Sequence, residues 1–467
     1  MDTREPQLSE STPSKASHDT DAPQALLDFM TGGWTDAPLT VGTLAHRDSY
    51  AARRKKVSAA YPGVHVVVPA GTEKVRANDT NFRFRPSTDF AYLAGPGEPG
   101  GMLVLEPRKD GGHDSVLFVP PHNRGKKEFF ADRVQGELWV GRHRGVDESQ
   151  LFFGVDRCRP IDEIETYLND LRVQGRDVRN VDDNAELATF LSELRLIKED
   201  AEIEELRRCV EISKRAFEDV IRVLPRAKSE REVEAAFWSR ARIEANDVGY
   251  LTIAAAGAHA CTLHWNHNHG AIRSGELLLL DAGVEVDSLY TADITRTLPI
   301  SGKFTAEQRA VYDLVYAAQQ AAMAQVKPGN DFLEPNRAAM RVLAEGLVEM
   351  GILKCSLDEA MDPQRQFYRR YTLHNVSHML GMDVHDCAKA RSETYRYGKL
   401  REHMVLTVEP GLYFQPDDAT VPANLRGIGV RIEDDVVVTR DGCENLSSIL
   451  PSRADDVEAW MSQLTAR

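Results

Sequence analysis

Short apolar runs separated by turn residues characterise the chain over residues 45–190. The runs are VHVVVPAG at 65–72, GGMLVLEP at 100–107 and SVLFVP at 115–120. Runs of this length, bounded by Gly and Pro, are typical of buried strands. Helical stretches lie between some of them, for instance around DRVQGELW. The pattern predicts an N-terminal α/β domain with a mixed sheet.

A helical period marks a second domain over residues 191–467. Apolar residues recur every three or four positions over 200–224, and Pro225 ends the pattern. Ser229 with Glu232, and Thr305 with Gln308, predict capping boxes at the starts of two further helices. A third helix is expected to end near Gly351, since glycine favours the position after a helix.

Strand-like segments lie between these helices and carry the sequences ELLLLDAG, YTADITRTLPI, HMVLTVEPGLYF and RIEDDVVVT. Short connections of hairpin type join several of them. The second domain is therefore predicted to be α+β, with a curved antiparallel sheet backed by helices.

Residues 1–44 are predicted to form a flexible tail. The first 22 are rich in Ser, Thr, Asp and Pro, and such a segment buries too little apolar surface to offset its ordering entropy. The following PQALLDFMTGGW predicts a short helix that docks on a neighbouring surface.

Composition and charge disfavour some kinds of partner and favour one cellular compartment. The 57 basic and 72 acidic residues give a net charge of −15, which disfavours nucleic acid and anionic membranes as partners. The six cysteines are scattered, as reduced thiols would be. No apolar stretch reaches the roughly 20 residues that span a bilayer, and no secretory signal is recognisable. A cytoplasmic protein is expected.

Four acids and one histidine in apolar surroundings are the candidate functional residues. They are Asp281, Asp293, His378, Glu409 and Glu433. Buried carboxylates need compensating charge, and two divalent cations would balance four of them. Oxygen-rich ligation with a single histidine favours Mn²⁺, with Co²⁺ and Zn²⁺ as alternatives.

Each of these residues also has an ordinary interpretation. A single strand aspartate is usually a turn or edge residue, and a single buried histidine is usually hydrogen-bonded in a core. The hypothesis therefore depends on the set of five. Nearby acids are interpreted as solvated groups or as groups that support the site from outside; they are Glu285, Asp287, Asp383, Asp386, Asp434 and Asp435.

Five segments give the chain a resemblance to a known family. LLLLDAG…YTADITRTLPISGKF, HNVSHMLGMDVHD, VLTVEPGLY and GIGVRIEDDVVVT resemble the motifs of the pita-bread metallopeptidases, and FRFRPSTDFAYLAGPGEPGGMLVLEP resembles their N-terminal domain. The nearest resemblance is to the Xaa-Pro aminopeptidases, or aminopeptidases P. It implies a C-terminal pita-bread domain and an N-terminal domain of the creatinase/prolidase type.

The resemblance also implies roles for the five residues. Asp281 would hold one metal, and Asp293 and Glu433 would bridge two metals. His378 and Glu409 would complete the ligands of the second metal. Asp281 and Asp293 are 12 positions apart (293 − 281), one more than the family spacing. If the additional residue lies in the turn at 286–289, both carboxylates stay on one face. If it lay inside a strand, one carboxylate would point away, because side chains alternate faces along a strand.

Further positions follow from the same resemblance. Three histidines would surround the substrate, namely His264, His374 and His385. Glu409 would act as general base, His264 or His385 would stabilise the oxyanion, and His385 would relay a proton to the leaving nitrogen. Arg431 would bind a negative group of the substrate or a ligating carboxylate, and Tyr413 is an alternative hydrogen-bond donor to the substrate.

The function implied is a two-metal aminopeptidase that removes the first residue of peptides with proline at the second position. The closest rival is a prolidase, which cleaves Xaa-Pro dipeptides with the same ligands. A rival of another class is a non-catalytic binding module on the pita-bread scaffold. The resemblance further implies a homo-oligomer, a dimer or a tetramer.

Overall fold

The computed structural model describes residues 23–35 and 39–466. The first 22 residues, which form half of the predicted tail, and residues 36–38 lie outside this part of the chain. The strands of the N-terminal domain are β1 (His65–Pro69), β2 (Val75–Ala77), β3 (Thr80–Asn81), β4 (Met102–Pro107), β5 (His113–Val119), β6 (Arg157–Pro160) and β7 (Val178–Asn180).

Five of these strands form one mixed sheet, in the order β6-β5-β4-β1-β7. The three central strands pair antiparallel, while β6 and β7 run parallel to their neighbours. The three apolar runs of the sequence are β1, β4 and β5, so the predicted mixed sheet is confirmed. Alternate residues of β1 face the two sides of the sheet, and both sides are buried.

Eight helices accompany this sheet in the described residues. They are α1 (Gln24–Thr31), α2 (Arg47–Ala60), α3 (Thr88–Ala94), α4 (Glu128–Ala131), α5 (Glu137–Val140), α6 (Val146–Phe153), α7 (Ile164–Val173) and α8 (Ala185–Leu194). The predicted short helix is α1. The helical stretch expected around DRVQGELW is instead a turn followed by the four-residue α5, which begins after Gly136.

Part of the predicted tail packs on the N-terminal domain. The ring of Trp34 lies 4.9 Å from that of Phe129, and the Leu44 amide donates to the Phe152 carbonyl at 2.9 Å. The described residues before 45 are therefore attached to the domain at more than one point.

The C-terminal domain contains six further α-helices in the described residues. They are α9 (Asp200–Val223), α10 (Glu230–Glu244), α11 (Ala306–Met323), α12 (Glu334–Glu349), α13 (Leu357–Met361) and α14 (Ala454–Thr465). Short 3-10 helices lie at Gly257–Cys261, Phe367–Arg370 and Leu446–Ile449 in this domain, and at Ile161–Glu163 in the N-terminal domain.

Of the three predicted helix signals, two are confirmed and one is wrong. The Thr305 capping box forms in both directions with Gln308, and Gly351 follows the end of α12 with a φ of +68°. The box at Ser229 does not form, although α10 begins there. The Ser229 hydroxyl donates to the Glu232 carboxylate at 3.3 Å and accepts no backbone amide.

The strands of this domain are antiparallel throughout. They are β8 (Asp247–Val248), β9 (Ile253–Ala256), β10 (Leu277–Asp281), β11 (Val284–Glu285), β12 (Thr295–Pro299), β13 (Val405–Val408), β14 (Gly411–Tyr413), β15 (Gly429–Arg431), β16 (Asp434–Val438) and β17 (Cys443–Asn445). They pair as β12-β10-β9, β11-β8, β13-β16-β17 and β14-β15. Together with the helices they form the predicted α+β domain.

A buried charge network joins the two domains. Lys198 donates to Asp386 at 2.9 Å, and Arg195 contacts both Asp386 and Asp89. These charged groups are almost fully removed from solvent, and the apolar core is continuous across the same boundary. The N-terminal domain thus fixes the loop that contains His385.

The helices of the described residues include none with the length and apolar character needed to cross a bilayer. All six cysteines are free thiols.

Candidate metal centre

The five candidate ligands line one cavity of about 540 Å³ in the C-terminal domain. The three histidines expected around a substrate line it as well, together with Arg431. Apolar side chains complete the wall, namely Leu251, Ile253, Leu263 and Val384. The structure therefore brings together every site residue that the sequence proposed.

A hairpin positions the two aspartates. Asp281 ends β10 and pairs with Thr295 in β12, so that Asp293 lies just before β12. The hairpin closes through the Val286 amide and the Tyr290 carbonyl at 3.0 Å, with Leu289 at a φ of +70°. This hairpin keeps Asp281 and Asp293 close together, as expected if the additional residue lies in the turn.

The hydroxyl of Tyr250 reaches both aspartates. It lies 2.6 Å from Asp281 Oδ1 and 2.5 Å from Asp293 Oδ1. A phenol has one proton, so it donates to one of these oxygens at a time. Both carboxylates consequently face the same side of the hairpin.

His378 and Glu409 are brought together by pairing between the 376–379 segment and β13. The Thr407 amide donates to the His378 carbonyl at 3.0 Å, and the Glu409 amide to the Val376 carbonyl at 2.9 Å. His378 Nε2 lies 3.2 Å from Asp293 Oδ2 and 3.5 Å from Glu409 Oε1. Nδ1 lies 3.1 Å from the Met379 carbonyl, which only accepts, so Nε2 is the nitrogen left for a metal.

Glu433 lies between β15 and β16. It accepts a hydrogen bond from the Thr295 hydroxyl at 2.5 Å, and its own amide donates to the Thr295 carbonyl at 3.1 Å. Asp293, His378 and Glu433 each present a ligand atom within 4.8 Å of the others. Such a separation suits ligands of one ion or of two neighbouring ions.

Electrostatics of the cavity favour bound cations. Burial, reinforced by the neighbouring acids, raises the pKa of Glu433, and burial raises the pKa of Glu409 to about 7 despite the attraction of His378. Burial lowers the pKa of His378, but Asp293 and Glu409 outweigh it and raise the pKa to about 9. Without other cations, these shifts favour the protonated forms of the three groups. The donor set of four carboxylates and one imidazole fits divalent metals that would take the place of those protons.

Arg431 supports this set from within the protein. Its guanidinium donates to Asp281 Oδ2 at 2.5 Å, to the Thr295 hydroxyl at 3.1 Å and to the Tyr413 hydroxyl at 3.0 Å. Only 4% of the residue is exposed. Of the two roles considered for Arg431, this geometry corresponds to binding of a ligating carboxylate.

Asp435 is the other supporting group. Its two carboxylate oxygens lie 3.2 Å from the Asp293 amide, which holds the backbone of that aspartate. Of the six neighbouring acids, four are buried and therefore not solvated, namely Glu285, Asp386, Asp434 and Asp435. Sequence reasoning missed Tyr250 and Thr295 altogether, because no local pattern marks a residue whose partner is distant in the chain.

Two further histidines of the cavity, His374 and His385, have a pKa below the ordinary imidazole value. Burial lowers the pKa of His374 to about 4, and its Nε2 lies 2.8 Å from the Tyr413 hydroxyl. Burial also lowers the pKa of His385, whose ring packs edge-on against that of His378 at 4.4 Å. His264 lies in the same wall, beside Leu263.

Comparison with known proteins agrees with this architecture. The model of metallopeptidase family M24 matches residues 204–440, and that of the aminopeptidase P N-terminal domain matches residues 50–179. Xaa-Pro aminopeptidase 1 of Streptomyces coelicolor is 48% identical over 459 residues, which cover 94% of this chain and 92% of the relative. Xaa-Pro aminopeptidase of Escherichia coli is 35% identical over 440 residues, covering 88% and 96%.

A solved structure leads to the same family. Aminopeptidase P from E. coli, with the inhibitor Pro-Leu, superposes with a TM-score of 0.81 at 31% identity and covers 91% of this chain and all of that one. Fold and site define a metallopeptidase with a pita-bread catalytic domain. The chain belongs to metallopeptidase family M24 and has the N-terminal domain of aminopeptidase P.

Proposed function

We propose that the chain is a two-metal aminopeptidase that hydrolyses the bond between an N-terminal residue and a following proline. The observation that carries this proposal is the convergence of five ligand side chains and three histidines on one cavity. High identity over nearly the whole chain to relatives named Xaa-Pro aminopeptidase supports the substrate class. The cavity volume suits a short peptide end.

The metals would be held by the five candidate ligands, namely Asp281, Asp293, His378, Glu409 and Glu433. The excess of carboxylate oxygen over imidazole nitrogen favours Mn²⁺, and Co²⁺ or Zn²⁺ would fit the same donors. A bound metal pair supplies Lewis acidity and an activated water to the hydrolysis.

The remaining chemistry falls to side chains of the cavity. Glu409 accepts a proton at a carboxylate oxygen as water adds to the carbonyl carbon before proline. His264 donates a hydrogen bond to the carbonyl oxygen as its charge develops. His385 passes a proton to the departing proline nitrogen, and His374, held by Tyr413, limits the space beside Glu409.

The apolar wall favours a substrate with a compact, uncharged ring. Leu251, Ile253, Leu263 and Val384 line the cavity beside the histidines. An apolar proline ring buried against such side chains gains about 25 cal/mol per Å². This contribution supports a preference for proline after the scissile bond.

A comparison of peptide lengths tests the proposal. Purified protein loaded with Mn²⁺ is assayed on Xaa-Pro-Xaa tripeptides and on Xaa-Pro dipeptides. Release of the first residue from tripeptides is expected. Activity on dipeptides alone would favour the prolidase, and no hydrolysis by metal-loaded protein would favour the non-catalytic binding module.

A homo-oligomer is proposed from the surface of the N-terminal domain. Four apolar side chains on one short segment are half exposed, namely Val134, Leu138, Trp139 and Val140. Clustered exposure of this kind is typical of a surface covered by another copy. A dimer or tetramer by sedimentation would agree, and a monomer at 52.1 kDa would not.

The free cysteines support a reducing compartment, and we propose the cytoplasm. Cell fractionation followed by immunodetection of the protein tests this location.

A further inference from the structure

A second cluster of metal-ligand side chains lies in the N-terminal domain. His122, Glu137 and His143 each present one ligand atom within 4.8 Å of the others. His122 follows β5, Glu137 begins α5, and His143 lies between α5 and α6. None of the three lines the cavity of the metal centre, so the cluster is a separate feature.

Hydrogen bonds determine which ring nitrogens face the cluster. His143 Nε2 lies 3.2 Å from the Pro121 carbonyl, which only accepts, so Nε2 bears the proton. Nδ1 of a neutral His143 is then a free lone pair, 4.0 Å from Glu137 Oε1. His143 is therefore prepared to bind a cation on the side of Glu137.

His122 also directs its Nδ1 atom towards Glu137. Its Nδ1 lies 2.8 Å from Glu137 Oε1, and its Nε2 lies 3.1 Å from Glu148 Oε2. A carboxylate next to the outer nitrogen is the usual support of a metal-bound histidine, because it fixes the tautomer and the ring. The ring is also confined by Gly145, where a Cβ would come within 2.4 Å of His122 Cδ2.

Glu137 is the buried acid of the cluster. Its side chain is 0% exposed, and its Oε2 has no hydrogen-bond partner among residues 23–35 and 39–466. Its backbone amide donates to Asn123 Oδ1 at 3.1 Å, which fixes the start of α5. A buried carboxylate oxygen without a partner is costly unless a positive charge lies beside it.

We propose that His122, Glu137 and His143 form a mononuclear site for a divalent transition metal such as Zn²⁺. Two imidazoles and one carboxylate are a common zinc ligand set, with water in the fourth position. Zinc bonds of about 2.0–2.2 Å place tetrahedral ligands about 3.4 Å apart, between the 2.8 and 4.0 Å observed here. Small side-chain movements would therefore complete the site.

The surrounding segment explains what this metal would do. Between β5 and α6, Phe129 is the one buried large apolar side chain, and α4 and α5 have four residues each. An ion bound to three points of this segment cross-links it and stabilises its folded form. The metal would thus stabilise this segment, and its binding is independent of the hydrolysis proposed above.

The proposal is tested by comparing the zinc content of the wild type with that of variants. Full-length protein is stripped by a chelator, dialysed against Zn²⁺ and analysed for zinc per chain. His143→Asn and Glu137→Gln are expected to hold one ion fewer than the wild type, whereas His46→Asn, at an exposed histidine of the same domain, should not differ. The difference does not depend on how many ions the C-terminal cavity holds. Equal zinc content in wild type and both cluster variants would overturn the site.

If the variants fail to fold, a second measurement shows whether zinc binds between His122, Glu137 and His143. Wild-type crystals grown with Zn²⁺ are examined by anomalous scattering at the zinc edge. A peak between the two Nδ1 atoms and Glu137 is expected, and its absence in crystals that bind zinc elsewhere would contradict the proposal.

Discussion

Tyr250 is the residue that joins the two aspartates of the candidate centre. Its hydroxyl lies within 2.6 Å of a carboxylate oxygen of each. Burial and these two acids raise its pKa, so it remains a hydrogen-bond donor at neutral pH. Groups that orient ligands in this way typically contribute about 10–100-fold to metal affinity.

Tyr250→Phe should therefore weaken Mn²⁺ binding about 10–100-fold while leaving the fold intact. Titration against a competing chelator measures the affinity. Tyr290→Phe is the control, because it removes a tyrosine hydroxyl of the same domain that bonds to Glu202 at 2.7 Å and to neither aspartate. Unchanged affinity in Tyr250→Phe would mean that the aspartates are positioned without the hydroxyl.

Glu409 has the clearest expected effect on turnover. Glu409→Gln removes the proposed proton acceptor, and kcat on an Xaa-Pro-Xaa peptide should fall about 10²–10⁴-fold. Metal content must be measured on the same sample, because Glu409 is also a proposed ligand. Glu402→Gln, at an exposed position, is the control. Turnover near that of the wild type would remove Glu409 from this role.

At the scale of elements, the hairpin between β10 and β12 sets the two aspartates. In its turn, Ser288 bonds to Glu205 and Leu289 adopts a left-handed conformation. Side chains alternate faces along a strand, so a change of length is harmless in the turn and damaging near Asp293.

Deletion of Ser288 should therefore preserve metal binding and most of the activity. Deletion of Ala292 should abolish both, because Asp293 then turns away from Asp281. Metal content and peptide hydrolysis of the two variants provide the comparison. Equal loss in both would show that the turn itself is required.

The same region explains what sequence patterns can and cannot predict. YTADITRTLPI was expected to be one strand, yet β12 includes only its last residues. The Asp293 amide bonds to the Asp435 carboxylate instead of a neighbouring strand, which ends the ladder early. The five ligands were predictable because acids are conspicuous in apolar runs. Tyr250 and Thr295 were not, since their partners are distant in sequence.

At the scale of the whole molecule, the domain boundary depends on buried charges. Burial alone would raise the pKa of Asp386, but Lys198 and Arg195 outweigh it and lower the pKa to about 2. An unfolded aspartate has a pKa of about 3.9. The stabilising contribution of Asp386 is therefore complete above about pH 4 and is lost as the pH falls towards 2.

Asp386→Asn leaves two buried cations with less compensation, and the expected loss of stability is about 3–5 kcal/mol. The midpoint of thermal unfolding at pH 7 should fall, and its decrease between pH 4 and 2 should be smaller than in the wild type. Asp287→Asn, at an exposed turn, should stay within about 0.5 kcal/mol. A wild-type midpoint in Asp386→Asn would mean that the ion pairs of Asp386 with Lys198 and Arg195 contribute little to stability.

Removal and return of metal tests the central claim most directly, namely that the buried acids of the C-terminal cavity exist to hold two cations. Chain stripped by a chelator is assayed on an Xaa-Pro-Xaa peptide, then dialysed against Mn²⁺, counted for bound metal and assayed again. We expect negligible hydrolysis by the stripped chain. The chain dialysed against Mn²⁺ should bind about two ions in the cavity and recover its hydrolysis, and Asp293→Ala should lose both ions. Full hydrolysis by the stripped protein, or equal metal content in Asp293→Ala, would contradict this claim.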